Sequence, residues 1–298
     1  MCGIVGLFLK NPSLEPKLGA MLSDMLAVMC DRGPDSAGFA IYGRGDEDHL
    51  KLTLRSTIAG SLDSLADELA AATAAPIKSE RRDTHLVISF PRDCEHEVRA
   101  WLARERPDVS VVAAGTRMEM YKEVGLPPDV AARFRLNEMQ GTHGIGHTRM
   151  ATESAVTTKG AHPFSTGVDE CLVHNGSLSN HNGLRRRLRR EGLDFATEND
   201  TEVAAGYLTW RMRQGDSLKQ ALQASLNDLD GFYTFVVGSE SGFAVLRDPI
   251  SCKPAVMAET DDYVAFGSEY RVLAGLPGIE KARVFEPEPA HVYAWERG

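Results

Sequence analysis

The sequence predicts an α+β protein in which sheets and helices stack in layers, and two observations carry that expectation. Short β-rich runs occur early, at 3–9 and 38–43, and again late, at 232–238, 243–248, 255–259 and 263–268. Between them, helical segments at 180–191, 200–214 and 217–229 follow one another as a block. Such an order fits layered sheets and helices better than a parallel βαβ series.

Each element has a local cause. Residues 3–9 are an apolar run with two glycines, and 17–30 place Leu18, Met21, Leu22, Met25, Leu26 and Met29 at helical spacing, so a strand leads into a helix. Asp31-Arg32-Gly33-Pro34-Asp35 ends that helix, because proline fixes its own φ and forces the preceding residue out of helical geometry. Residues 51–140 read as an inserted α/β subdomain, with strands at 51–57, 85–90 and 109–114, helices at 61–73 and 94–106, and a closing Gly-Leu-Pro-Pro loop at 125–128. From 141 the chain returns to glycine- and histidine-rich stretches expected as loops. The late runs, separated by polar turns at 239–242, 248–254 and 260–262, are expected to form one antiparallel meander. The 298 residues therefore read as one fold, 1–298, split by an insertion at about 51–140.

Composition excludes several classes. Hydrophobic residues at 43% and charged residues at 25% are ordinary for a globular chain and argue against disorder, collagen or coiled coil. With 33 Lys+Arg against 42 Asp+Glu the net charge is −9, so no general attraction to nucleic acid or an anionic membrane is expected. The arginines within 185–190 are a local exception, read chiefly as a solvated face. The five cysteines form no C-x-x-C pair and fit a reducing compartment. The N-terminal apolar stretch is broken by Lys10-Asn11-Pro12, too early for a signal peptide or a membrane span, and a cytoplasmic protein is expected.

The chemical signal begins with Cys2, directly after the initiator methionine. If Met1 is removed, the α-amine of Cys2, with an ordinary pKa of ~7.7–8.0, can take the thiol proton, so one residue carries both nucleophile and base. Taken alone, Cys2 would read as a small hydrophobe opening a buried strand. Its company changes that reading: Met1-Cys2-Gly3-Ile4-Val5-Gly6, Arg32-Gly33-Pro34-Asp35-Ser36-Ala37-Gly38, His147-Thr148-Arg149-Met150-Ala151-Thr152, Ala161-His162-Pro163-Phe164, His174-Asn175-Gly176 and Asn199-Asp200-Thr201-Glu202 follow in that order.

On these motifs the chain resembles the class II glutamine amidotransferases, which are N-terminal nucleophile (Ntn) hydrolases, over roughly 1–45 and 141–270. The resemblance implies a four-layer αββα sandwich and glutamine as substrate. It implies Cys2 as nucleophile and Asn175 with the Gly176 N–H as the oxyanion hole. Arg149 would grip the α-carboxylate through its guanidinium fork, with Thr152 as second donor, and Asp200 would accept the α-ammonium. Asp200 also stands where a helix N-cap is expected. Asn175-Gly176, read locally, is a hairpin turn. Arg32 and Gly33 would belong to a loop closing over the nucleophile, while His147 and His174 would position loops.

Among family members the pattern and length look most like the glutaminase-type chains of glutamate synthase-like complexes, that of N-methylglutamate synthase included. That likeness implies ammonia supplied to a separate synthase subunit bearing flavin and an iron–sulfur cluster, with no cofactor or metal in this chain. The alternative is a catalytically silent structural or regulatory subunit that keeps the fold.

Overall fold

The computed structural model of the chain describes residues 2–151 and 155–297. Its large sheet has seven strands in the order Arg283–Phe285, Val256–Glu259, Tyr263–Gly267, Gly3–Leu9, His143–Arg149, Ser36–Tyr42 and Met118–Val124. A second sheet has five, ordered Val292–Glu296, Gly242–Arg247, Gly231–Gly238, Glu170–Leu178 and Phe164–Gly167. Neighbours within both sheets run antiparallel.

The layering follows from the two-residue period of the strands. In Gly3–Leu9, Val5, Leu7 and Leu9 face the helix Leu18–Val28, whose Leu18, Leu22, Met25 and Leu26 complete that cluster. Ile4 and Phe8 point the other way and meet Val173, Val236, Phe243 and Val245 of the second sheet. The far face of the second sheet is covered by the helices His181–Arg190, Asp200–Arg213 and Leu218–Asp228. The expected αββα stack is thus present, with one apolar core between the sheets and one beneath each helical layer.

Three elements differ from the sequence expectation. The glycine- and histidine-rich stretch after 141 contains a central strand, His143–Arg149, paired on both edges. Its glycines answer to packing: a Cβ at Gly144 would stand 2.8 Å from Ile41, and one at Gly146 2.9 Å from Leu26. The late hairpins belong to different sheets, Gly231–Gly238 with Gly242–Arg247 in the second and Val256–Glu259 with Tyr263–Gly267 in the large one. They are not one meander, because the Asp248–Pro254 connection carries the chain across the sandwich.

The 51–140 segment also divides. A separate antiparallel sheet, ordered Lys78–Arg82, His85–Pro91, His49–Arg55 and Ser110–Gly115, packs Leu50, Leu52 and Leu54 against the helices Leu65–Thr73 and Glu95–Glu105. Met118–Val124, by contrast, is the edge strand of the large sheet, and Pro127–Arg133 is a helix on its outer face. Pro127 opens that helix at a position where its missing N–H costs nothing, which is why the Gly-Leu-Pro-Pro loop is a helix start.

Gly19 gives a signed test of the helical layer. Alanine is normally favoured over glycine in a helix by about 1 kcal/mol, yet a Cβ here would collide with the carbonyl oxygen of Leu136 and lie 2.6 Å from that of Met139. Gly19→Ala is therefore expected to destabilise the protein by about 1–3 kcal/mol in denaturant unfolding, where propensity alone predicts a gain.

Candidate active site

Strand ends build the site. Gly3 pairs with Thr148 and Ser36 with Arg149, so Cys2, Arg149 and the 31–35 loop converge at one end of adjacent strands. Loop 31–35 is stitched there: Asp35 donates its N–H to the Arg149 carbonyl at 3.0 Å and accepts from the Ala151 N–H at 2.7 Å. Gly33 is required by contact, since a Cβ would collide with the Thr148 carbonyl carbon.

Cys2 directs its thiol at the Met150 carbonyl oxygen, 3.7 Å away. Its own carbonyl accepts from Arg32 Nε and from Asn175 Nδ2, each at 3.2 Å. Arg32 is further paired with Glu269 at 2.8 Å. Asn175 Nδ2 also reaches Ser268 Oγ at 3.2 Å, and that oxygen accepts the Ile4 N–H at 2.9 Å. Ser268 and Glu269 therefore touch the groups around Cys2.

Asn175-Gly176 lies inside the strand Glu170–Leu178, opposite Thr234 and Tyr233, and is not a hairpin turn. Gly176 has φ of +145°, and a Cβ there would collide with the Phe232 carbonyl oxygen. Only glycine fits. Asp200 is the first residue of the helix Asp200–Arg213, whose N-cap is Asn199, accepting the Thr201 N–H at 2.8 Å. The capping role thus belongs to the neighbour, and the Asp200 carboxylate instead accepts the Leu178 N–H at 2.9 Å while facing the cavity.

Cys2, Arg32, Arg149, Asn175, Gly176 and Asp200 line one cavity of about 840 Å³. Gly33 sits behind it against the 148–149 strand end. Thr152 lies outside the described residues. Among the described residues no group of His, Cys, Asp and Glu is arranged to hold a metal ion, and no helix is long and apolar enough to cross a membrane.

Beneath the cavity is a buried histidine cluster that the motifs contained but sequence reasoning did not assemble. His147 and His162 stack with ring centroids 4.0 Å apart. His162 Nε2 and His174 Nδ1 meet the Thr201 hydroxyl at 2.7 and 3.0 Å. His147 Nε2 faces the His174 carbonyl oxygen at 3.2 Å, so that nitrogen carries the proton. Burial pushes His147 down to about 3 and His162 well below its ordinary value, which keeps both neutral.

Two buried charges also serve the cavity walls. Arg185 is enclosed and bonds Glu198 at 2.5 Å, Asn182 at 2.8 Å and the Asn199 carbonyl at 3.2 Å, so one member of the arginine run is no solvated residue. Glu202 accepts the Ala196 and Thr197 N–H groups, each at 2.8 Å. Its place three residues after the Asn199 cap is the one sequence sign of such a role.

A family model described as a glutamine amidotransferase domain matches residues 147–275. The chain belongs to the class II glutamine amidotransferases, enzymes of the Ntn-hydrolase fold. It is 63% identical to the glutamine amidotransferase-like protein GlxB of Rhizobium meliloti, over 99% of this chain and 98% of that one. A putative glutamine amidotransferase of Methanothermobacter thermautotrophicus is 33% identical over 98% of this chain and 99% of its own length. The solved structure of glutamine phosphoribosylpyrophosphate amidotransferase from B. subtilis superposes with a TM-score of 0.63 at 20% identity, covering 99% of this chain and 47% of that one, and shows the shared fold.

The histidines make stability pH-dependent. His85, His143 and His147 are held at about 3 by burial, against 6.5 when unfolded. Between those values the unfolded chain binds more protons, so their contribution is complete above 6.5 and is lost as pH falls. Thermal melting is expected to be nearly level above about pH 7 and to decline steadily from about 6.5 to 4.5, before most carboxylates titrate. A melting temperature unchanged across that interval contradicts the assignment.

Proposed function

We propose that this chain is a glutaminase subunit that hydrolyses the side-chain amide of L-glutamine and delivers the ammonia to a separate synthase subunit. The observation that carries this reading is the convergence of Cys2, Asn175, Gly176, Arg149 and Asp200 on one cavity. A free amino acid with an amide side chain needs a nucleophile, an oxyanion hole, a cation and an anion at fixed separations, and these residues provide them.

In this reading removal of Met1 frees the Cys2 α-amine, which takes the thiol proton as Sγ attacks the amide carbon. The tetrahedral oxyanion is held by Asn175 Nδ2 and the Gly176 N–H, a contribution of roughly 3–4 kcal/mol for such a donor. One of the two bonds Asn175 Nδ2 now makes, to the Cys2 carbonyl or to Ser268, is exchanged for it. The Cys2 α-ammonium returns its proton to the leaving nitrogen and ammonia departs, leaving a glutamyl thioester. Water, deprotonated by the same amine, releases glutamate and restores the thiol. Arg149 and Asp200 hold the carboxylate and ammonium of the substrate, with Thr152 as a further donor, and the Arg32-Gly33 loop covers the nucleophile.

The motif pattern supports a glutamate synthase-like assembly, N-methylglutamate synthase being the pattern, in which the partner chain carries the flavin and the iron–sulfur cluster. The five cysteines, which form no C-x-x-C pair, support a reducing, cytoplasmic setting.

Cys2→Ala is expected to abolish ammonia release from glutamine, measured with the partner present, and a diazo-ketone glutamine analogue should add its mass once, at Cys2. Asp200→Asn should raise the KM for glutamine by roughly 10- to 100-fold, the loss of a charged hydrogen bond. Wild-type protein that binds glutamine yet releases no ammonia identifies the silent regulatory subunit instead.

A further inference from the structure

The loop 157–163 supplies Thr157, Lys159, Gly160 and His162 to the wall of the cavity. It has little regular structure of its own, and two neighbouring residues of the edge strand Met118–Val124 help to hold it. Lys122 is buried and donates from Nζ to the carbonyls of Ala161, Pro163 and Lys159 at 2.8, 3.1 and 3.4 Å. Its ammonium also lies 4.3 Å from the Phe164 ring centroid. A buried ammonium with this many main-chain acceptors fixes the backbone that provides them.

Glu123, on the opposite face of the same strand, is equally buried and accepts from the Thr158 hydroxyl of that loop. Its other oxygen accepts from Arg55 of the small sheet at 3.1 Å and from Thr84, in the turn before His85–Pro91, at 3.3 Å, and Arg55 also reaches Thr158 Oγ1 at 3.0 Å. The alternation of the strand His49–Arg55 explains how the small sheet arrives there. Leu50, Leu52 and Leu54 enter its own core, while Lys51 and Arg55 on the other face pair with Glu119 and Glu123 of the large-sheet edge.

We propose that the small sheet and the edge strand together are a clamp on the substrate loop, in which Arg55, acting through Glu123 and Thr158, and Lys122, acting on the loop carbonyls, are positioning residues for glutamine binding. The small sheet would then set substrate affinity without touching substrate. Burial pushes Lys122 down to about 7, while Glu202, which holds the 196–197 wall, favours its charged form and Arg55 opposes it.

The kinetic consequence rests on the glutaminase reading, whereas the mechanical one does not, so the two are measured separately on the full chain. Amide hydrogen exchange in Arg55→Ala is expected to speed up about tenfold or more at 157–163, the effect of losing a charged hydrogen bond, with the strand Tyr263–Gly267 unchanged. In the ammonia assay the same variant should raise the KM for glutamine about tenfold while kcat stays within about twofold. Thr158→Val, which removes only the hydroxyl, should reproduce both effects in smaller measure and covers the case in which Arg55→Ala loosens the whole fold. Unchanged protection at 157–163 in both variants overturns the clamp. A fall in kcat at constant KM overturns the positioning role. If wild-type protein releases no ammonia, the glutaminase reading fails and the exchange data still decide the clamp.

Discussion

Everything in the site depends on the pairing of Gly3–Leu9 along both of its edges. The strand is buried throughout, with His143–Arg149 on one side and Tyr263–Gly267 on the other. A terminal segment is ordinarily the least ordered part of a chain, and here it is instead fixed in the middle of a sheet with helices on one face and a second sheet on the other. Cys2 is the residue just beyond that strand, so its direction is set by the register of the whole sheet. Ser268 reinforces this arrangement by bonding both the Ile4 N–H and the Asn175 amide. One side chain thereby ties the strand that follows Cys2 to Asn175.

Around that frame the cavity walls are loops, and the chain holds them with polar side chains, buried for Lys122, Glu202 and Arg185 and half-buried for Asp35. Lys122 serves 159–163, Glu202 serves 196–197, Arg185 serves 198–199 and Asp35 serves 149–151. Burying charge is unfavourable unless hydrogen bonds compensate it. Each of these groups meets that condition by satisfying backbone that would otherwise be exposed or mobile. The neutral histidines do the same without charge, stacked between the two sheets and sharing the Thr201 hydroxyl.

The sequence made the site residues legible because they come in short ordered motifs, and it made the long periodic elements legible because burial writes itself into spacing. What it hid has physical causes. His143–Arg149 lacks an apolar alternation because glycine stands at the positions where Ile41 and Leu26 press against the strand. In Met118–Val124, Lys122 and Glu123 look like surface residues, since nothing in their neighbourhood of sequence announces that loops 159–163 and the small sheet will enclose them. The late hairpins were visible as hairpins, but local patterning carries no information on which sheet receives each one. Asp200 reads as a cap or a ligand from sequence alone, and the Asn199 cap removes the first alternative.

The central place of the first strand also sets an order of events. Ile4 and Ser268, joined by a hydrogen bond, are 264 residues apart in the chain. Contacts of such sequence separation bring a large loop-closure cost before any gain, and they slow folding. During synthesis the strand that follows Cys2 must wait for its Tyr263–Gly267 partner until the chain has been made through that segment. The arrangement around the Cys2 thiol is therefore completed only after Ser268 has been made.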